Sequence, residues 1–521
     1  MTGEHANADP ALPTEAWLAL GLAAAAGLIT IDAGFVFDDH QALEHNPVVT
    51  GSVPAWQAFT RDFWGRPLEQ GMVASYRPLM SLLWRGLWAL SPRPLPFHAL
   101  SLLLHVGATA AFLFAGRRLG LPRALLGAAA LIFAVHATHA EAVGANVSHA
   151  DLLSAGLGLL LLGLAADARG LAHGVALGAL LWTASLIKES VFVFAGAALA
   201  VIALRAEPWR VRLPVLVPIA ISTLAVIALQ LSLQRDNDPR YSLTLAYDAR
   251  GLGRLLLGLA FYAHGTLICF LPHRLAPKHS YAAWDLSTET LLPHALPGAL
   301  LLVLSLVALA WAFRQRAVGL TAALVLLIGP ILTNTGLIVQ VPNELPERTY
   351  YPALMAASLL IAALVQRLVQ GRAERLVLAA IVLAMFAQRY RAQRPWHDEL
   401  ALWRYALEIE PKSAELNMFM AHAHEEAGRA DPAIWHAMVT SYVATQRPRR
   451  VEWEEVDALQ AVALPERWLR APSVLNAQQP CRFAIGMLMV LRRELPSLER
   501  RALAGFRQRY PECFAPSPAT R

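Results

Sequence analysis

Phe35-Val36-Phe37-Asp38-Asp39 is the stretch on which the reading of this chain turns. Two adjacent carboxylates stand at the end of the first long apolar run, near residues 16–36. That run is long enough for a membrane helix, which needs about 20 mainly apolar residues. Residues 1–15 carry Glu4, Asp9 and Glu15 and no Lys or Arg, so the run lacks the positive flank of a cleaved signal and is expected to be retained as a helix. The composition agrees: 521 residues are 56% hydrophobic and 16% charged, with mean hydropathy +0.43. A chain so apolar is a polytopic membrane protein rather than a soluble enzyme. Its net charge of +6 comes mainly from Arg scattered between apolar segments. That pattern marks membrane topology and argues against a nucleic-acid partner. Three Cys exclude a disulfide framework, and no spacing suggests zinc. Cys481 and Cys513 lie in the polar tail and could pair in an oxidising compartment.

Apolar segments recur near 16–36, 97–116, 122–138, 150–166, 170–187, 190–206, 213–233, 255–272, 294–313, 317–339, 350–366 and 374–390. Lys and Arg in short loops mark the cytoplasmic side. Arg117, Arg118 and Arg123, then Arg169, then Arg205, Arg210 and Arg212 fall in alternate loops. The N-terminus is therefore expected inside and the acid pair outside. Arg314 and Arg316, then Arg367, Arg372 and Arg375, fit the same rule only if one earlier segment does not cross. That segment is 255–272, which carries Tyr262, His264 and Cys269 and is expected along the outer surface. Residues 76–94, interrupted by Arg77 and Arg85, are expected to be an interfacial amphipathic helix. The resulting fold class is all-α, a polytopic membrane helix bundle of about eleven spans over residues 1–390. Its two large extracytoplasmic loops are 35–95 and 234–293. The last span has a short charge-free core, Leu376 to Gln388, and is expected to rely on Arg375 and Arg389 snorkelling.

From Trp396 the chain turns polar and helically periodic, so residues 391–521 form a soluble helical domain. One helix carries Leu402, Ala406 and Leu407 and ends at Pro411; a second runs from Ala414 to Ala427, and a third from Ala433 to Val443. Small residues at Ala406, Ala421 and Ala433 resemble tetratricopeptide repeats over about 396–447.

Chemistry-bearing residues gather in the outer connections. Asp38 and Asp39 read either as a catalytic pair or as the cap of a helix beginning near Gln41. The loop beyond them contains Asp62-Phe63-Trp64-Gly65 and Ser75-Tyr76-Arg77-Pro78-Leu79. Trp64 and Tyr76 suit either interfacial anchoring or substrate stacking. His136, His139 and Glu141, with His149 and Asp151, crowd a turn between apolar helices, where polar groups are costly unless used. Lys188-Glu189 and Glu344, Glu347, Arg348, Tyr350 and Tyr351 form two further outer clusters. Lys188 and Arg348 are the phosphate candidates.

In this order, Phe-Val-Phe-Asp-Asp, Asp-Phe-Trp-Gly, Ser-Tyr-Arg-Pro-Leu, His-x-x-His-x-Glu-Ala-Val, Leu-x-Lys-Glu and Glu-Arg-x-Tyr-Tyr-Pro resemble the transmembrane and tetratricopeptide-repeat containing protein O-mannosyltransferases over about residues 30–445. The resemblance implies a C-type glycosyltransferase fold. It implies transfer of mannose or another hexose from a polyprenyl-phosphate carrier to a hydroxyl, with inversion and with no cofactor or metal required. It makes Asp38 the general base and Asp39 its supporting acid. Lys188, Arg348, His149, His139 and Glu141 would line the donor and its phosphate, and Asp62, Trp64, Tyr76, Arg77, Glu347 and Tyr351 the substrate loop. The partners implied are the polyprenyl-phosphate sugar, an acceptor protein or glycan, membrane lipid and a protein bound by the repeats. Ser148-His149-Ala-Asp151 departs from the family's Gly-Arg-Ala-Asp, and the loop from Leu271 to Tyr281 matches only loosely. A lipid or cell-surface glycan is the alternative acceptor, and a transporter or membrane scaffold the alternative class. The Ala-, Leu- and Arg-rich composition suggests a bacterial inner-membrane protein with its C-terminal domain periplasmic.

Overall fold

A computed structural model describes residues 14–69, 75–233, 249–279, 287–338, 345–411, 413–445, 487–489, 491–493 and 495–514. Among these residues there is no β-strand, only an isolated bridge between Arg61 and Pro67. Six helices are long and apolar enough to cross a membrane: Pro94–Arg118, Asn146–Ala165, Trp209–Leu233, Gly251–Phe270, Thr288–Arg314 and Glu347–Leu368. Shorter apolar helices lie between them. Leu224 and Leu231, and Leu300 and Val307, are all at least 60% exposed. Such apolar surface is what a helix in lipid presents, so this is a membrane protein.

The main helices are α1 (Thr14–Gly27), α2 (Pro78–Leu90), α3 (Pro94–Arg118), α4 (Arg123–Val135), α5 (His139–Gly144), α6 (His149–Ala165), α7 (Gly170–Ser185), α8 (Phe192–Leu204) and α9 (Trp209–Leu233). After them come α10 (Gly251–Phe270), α11 (Thr288–Arg314), α12 (Val318–Thr333), α13 (Tyr351–Leu368) and α14 (Arg372–Gln393). The tail follows as α15 (Glu399–Ile409), α16 (Ala414–Glu426), α17 (Ala430–Thr445) and α18 (Pro496–Arg509).

The arginine-rich turns meet at one end of the bundle. Arg118 pairs with Asp167 at 2.7 Å, Arg169 with Glu207 at 2.9 Å, and Arg205 donates to the Ala168 carbonyl at 2.6 Å. A Cβ built on Gly319 would lie 2.7 Å from Leu121, so the turn before α12 reaches the same end. Close packing depends on small residues, as expected where lipid removes the hydrophobic drive between helices. On α7, a Cβ at Gly174 would fall 2.3 Å from the Pro214 carbonyl of α9.

The opposite end carries the acid pair. Helix α10, by length and composition a candidate span, is tied by hydrogen bonds at both its first and its last turns. Arg254 in its first turns donates to the Gly336 carbonyl just beyond α12 at 2.7 and 3.0 Å. At its last turn, the Ile268 carbonyl accepts from Thr138 Oγ1 at 3.1 Å, and the Cys269 carbonyl lies 3.0 Å from His136 Nε2, just beyond α4.

Helix α14 runs back to that end, and Arg389 does so without snorkelling. Arg389 is fully buried, its Nη1 2.9 Å from the Ala134 carbonyl and 3.0 Å from His105 Nε2, with Nε donating to Gln393 at 2.9 Å. The carbonyl it meets lies in the last turn of α4, where helix carbonyls lack intrahelical partners. The segment expected as an interfacial amphipathic helix holds α2, with Met80 and Trp84 fully buried on one face and Leu83 and Leu90 exposed. Arg85 does not reach for a headgroup but donates to the carbonyls of Val48 and Val53, each at 2.8 Å. The loop after the acid pair is thereby folded over the bundle end.

In the tail, α15, α16 and α17 keep the bounds expected from periodicity to within a few residues. Asp398 and Ser413 cap α15 and α16, accepting from the amides of Ala401 and Leu416. Cys481 and Glu344 lie outside the described residues.

Candidate functional site

The acid pair divides in two directions. Phe37, immediately before it, has φ 55°, a left-handed conformation uncommon for a bulky residue. A π-helical turn, His40–Glu44, follows. Asp39 stands at the N-terminal position of that turn, yet its carboxylate makes no capping bond to it. Instead it is fully buried and accepts from Asn146 Nδ2 at 2.9 Å, from the Val147 amide at 3.0 Å and from the Asn146 amide at 3.4 Å. Asp39 thus ties the loop to the connection between α5 and α6. Asn146 was not singled out in the sequence.

Asp38 points elsewhere. Its side chain keeps 20% exposure, and its partner is Arg348 Nη2 at 3.4 Å. Arg348 also donates Nη1 to Glu141 Oε1 and its amide to Glu141 Oε2, both at 2.9 Å. Glu141 sits in the short helix α5 and is 2% exposed. Burial raises all three carboxyls above their ordinary range. Asp39 and Glu141 are each pushed up to about 7, and Asp38 is raised although the Arg348 charge opposes the shift.

A second buried pair lies alongside: Lys188 Nζ donates to Asp151 at 2.5 Å, both side chains being at most 6% exposed. Burial holds the Lys188 ammonium below its usual value, while Asp151 pulls the other way. Arg77 completes the row, donating to Glu189 at 2.8 and 3.2 Å with its guanidinium 4.7 Å over the Phe63 ring. Cations and carboxylates therefore alternate across four connections of the bundle end.

Other candidates sit away from this row. His149 is fully buried behind α2 and α3, with Nδ1 accepting from the Trp84 indole at 3.0 Å. Its Nε2 lies 2.8 Å from Ser101 Oγ and 3.0 Å from the Phe97 carbonyl, so both ring nitrogens are engaged in packing. His139 and Tyr351 belong to an aromatic cluster within the bundle, their rings 4.5 Å apart, with the Tyr351 hydroxyl 2.8 Å from His105 Nδ1. Glu347 accepts from the Ala276 amide at 2.8 Å and lies 2.9 Å from His279 Nε2, which fastens the chain after α10 to the start of α13. Asp62 accepts from the amides of Trp64 and Arg66 at 3.0 and 2.8 Å, an Asx-type turn that shapes its own loop. The Trp64 ring packs on Phe63 at 5.0 Å, and the Tyr76 hydroxyl donates to the Phe59 carbonyl at 3.2 Å. Among the described residues no cluster of three His, Cys, Asp or Glu is placed to hold a metal ion.

The tail contributes to the site wall, which its sequence had not signalled. Lys278, beyond α10, pairs with Glu415 of α16, and both charges act on Asp38. The Asp38–Lys278–Glu415 grouping joins residues more than 370 positions apart in the chain, so nothing local in the sequence points to it.

Comparison with known proteins finds similarity over about a quarter of the chain. Protein O-mannosyl-transferase Tmtc1 of Drosophila melanogaster is 41% identical over 129 residues, which is 24% of this chain and 15% of that protein. Protein O-mannosyl-transferase TMTC4 of Homo sapiens is 40% identical over 141 residues, 24% of this chain and 19% of that protein. Protein O-mannosyl-transferase TMTC3 of Mus musculus is 39% identical over 142 residues, 27% and 15%. Across that segment the chain is a relative of these proteins, and it spans less than a fifth of their length. No family model and no solved structure matches the chain.

Proposed function

We propose that the chain is an inverting membrane glycosyltransferase that moves a sugar, mannose or another hexose, from a polyprenyl-phosphate carrier to a Ser or Thr hydroxyl of a protein. The observation that carries this reading is the division of the acid pair. Asp39 is sequestered by three N–H donors, whereas Asp38 stays accessible beside a single guanidinium. A general base needs an accessible carboxylate whose pKa lies toward the working pH, and burial raises Asp38 in that direction. As the acceptor oxygen forms its bond to the anomeric carbon, its proton passes to Asp38. The bond from that carbon to the carrier oxygen breaks, and its electron pair leaves with the phosphate. Lys188, Arg348 and Arg77 are the cations that would receive the departing charge, each now held by a carboxylate that the phosphate would partly replace. No metal enters this scheme.

In this reading eleven helices cross the membrane, α1, α3, α4, α6 to α9 and α11 to α14. Helices α2 and α10 stay on the outer side, with the N-terminus cytoplasmic and the tail, read as a short tetratricopeptide-like unit, outside. The shared name of the relatives supports a mannosyl donor and a protein acceptor. The test is incubation of the purified protein in nanodiscs with polyprenyl-phosphate-[14C]mannose and membrane extract, followed by partition of label into protein and lipid fractions. Label in protein for wild type and none for Asp38→Asn is expected. Label confined to lipid would reassign the acceptor, and wild-type turnover by Asp38→Asn would overturn the base.

A further inference from the structure

The segment leading out of α14 runs beside the segment leading into the acid pair. Gln393 Nε2 donates to Thr30 Oγ1 at 3.0 Å, and the Gly34 amide donates to the His397 carbonyl at 3.1 Å. The fully buried Trp396 ring lies against Gly144, where a Cβ would come within 2.8 Å of it. At the end of this seam stands Glu399, the first residue of α15. Its Oε1 accepts the Phe37 amide and lies 3.1 Å from His40 Nε2, and its Oε2 accepts the Trp403 indole N–H. The Phe37 ring is enclosed by Trp403 at 4.9 Å and Phe419 at 5.2 Å, both meeting it edge-on. Thus a carboxylate and two rings of the tail all converge on a bulky residue with a left-handed backbone, immediately before Asp38.

A phenylalanine in that conformation is strained and persists only where its surroundings over-determine it. Here they do so through the peptide N–H of Phe37 and through both sides of its ring. The turn at Phe37 is also what sends Asp39 into the bundle and leaves Asp38 beside Arg348. If Phe37 relaxed to negative φ, the following peptide would rotate and carry the Asp38 carboxylate with it. Glu399 touches neither Asp38 nor any group of the row from Arg348 to Arg77. A purely structural role for it, as an acidic residue at a helix N-terminus, would leave the Phe37 bond dispensable.

We propose, on the reading of Asp38 as the base, that Glu399 is a positioning residue: it holds the Phe37 amide, and with Trp403 and Phe419 fixes the turn that aims Asp38 at the acceptor hydroxyl. The first helical pair of the tail is then part of the catalytic apparatus and not only an appended recognition unit.

The full chain in nanodiscs is compared as wild type, Glu399→Ala, Glu399→Gln and Glu399→Asp. Glutamine keeps an oxygen for the Phe37 N–H, whereas aspartate keeps the charge but falls one methylene short. Hydrogen exchange followed by mass spectrometry reads the peptide that contains Phe37. Exchange about tenfold faster is expected for the Ala and Asp variants, with Gln near wild type. Transfer from polyprenyl-phosphate-[14C]mannose should fall about 100-fold in kcat for Ala and Asp, the scale of a misplacement near 1 Å. The donor KM should stay within about twofold, because donor binding is not what is lost. Unchanged exchange in both Ala and Asp variants, or a Gln variant as slow as Ala, would overturn the proposal. Should Glu399→Ala aggregate, the Gln–Asp contrast alone decides the outcome. Absence of transfer by wild type would instead sink the glycosyltransferase reading, while the exchange data still report whether Glu399 holds the turn.

Discussion

Replacing Arg348 by Gln removes a cation that touches both Glu141 and Asp38, and its cost should depend on pH in a calculable way. Glu141 is 2% exposed, so water cannot take the place of the guanidinium. Even with Arg348 present, burial lifts this carboxyl from the ordinary 4.5 to about 7. That difference, 7 − 4.5 = 2.5 units, disfavours the ionised folded state by about 3 kcal/mol. For a raised carboxylate the penalty is absent below pH 4.5, grows as pH climbs to about 7, and is constant above it. Removing Arg348 moves the pKa higher still, by about 1–3 units for an opposite charge in contact. Wild type and variant therefore behave alike below about pH 7, where both hold Glu141 protonated. Above it the variant should lose about 1.4 kcal/mol more per pH unit until its own pKa is passed. The assay is thermal unfolding of both proteins in one detergent across about pH 6 to 9, where 1 kcal/mol corresponds to about 2 °C or less in a chain of this size. The gap in Tm should be flat at the acid end and widen with alkali. The double variant Arg348→Gln, Glu141→Gln should largely abolish the widening, leaving only the weaker slope from the partly hydrated Asp38. A gap that does not change with pH, or a double variant that widens equally, would refute the placement of Glu141 as a buried group dependent on Arg348.

Three further outcomes are expected. Asp38→Asn should lower transfer by about 1000-fold, within the range for loss of a general base, yet leave Tm near wild type because its 3.4 Å contact to Arg348 is long. Asn146→Ala leaves the buried Asp39 Oδ2 without its side-chain donor, which should cost about 1–3 kcal/mol in unfolding measurements and slow transfer without changing donor KM. Gly65 has φ 81°, and a Cβ there would fall 2.4 Å from Asn46 Oδ1. Gly65→Ala should therefore strain the loop by about 1–3 kcal/mol and speed its cleavage by limited proteolysis, with Tm of the bundle nearly unchanged.

Much of this site could be read from sequence because topology brings its parts together. In the proposed topology Asp38, Glu141, Lys188 and Arg348 lie in connections separated by an even number of traversing helices, so alternation of direction carries each to the same end. Composition and the arginine turns are enough to find that end. They do not say which polar residues of an outer turn face the opening. His149 looked like a titratable stand-in for a cation, but Trp84 and Ser101 engage both its nitrogens. Those partners sit 65 and 48 positions away, on helices whose rotation no local periodicity specifies. Arg389 looked like a snorkelling residue because hydropathy counts charge without asking whether a helix end nearby offers carbonyls. The Ala134 carbonyl, 255 positions earlier, answers that question only in three dimensions. Asp62 carried chemistry in the sequence, and its Oδ1 shapes a turn, as aspartate commonly does where two amides follow it closely.

The division of labour between Asp38 and Asp39 has the same character. As a dipeptide the two acids are chemically interchangeable, and adjacency alone would make them repel if both were ionised at one surface. What separates them is a single backbone inversion at Phe37, after which one carboxylate meets N–H donors and the other a guanidinium. The inversion is unfavourable for Phe in isolation, and among the described residues none within the first loop holds the Phe37 amide in it. Glu399, Trp403 and Phe419 do, from a segment 362 to 382 positions later. The tail therefore sets the chemistry of the opening motif: without it, the sequence Phe-Asp-Asp would have no physical reason to present one acid and bury the next.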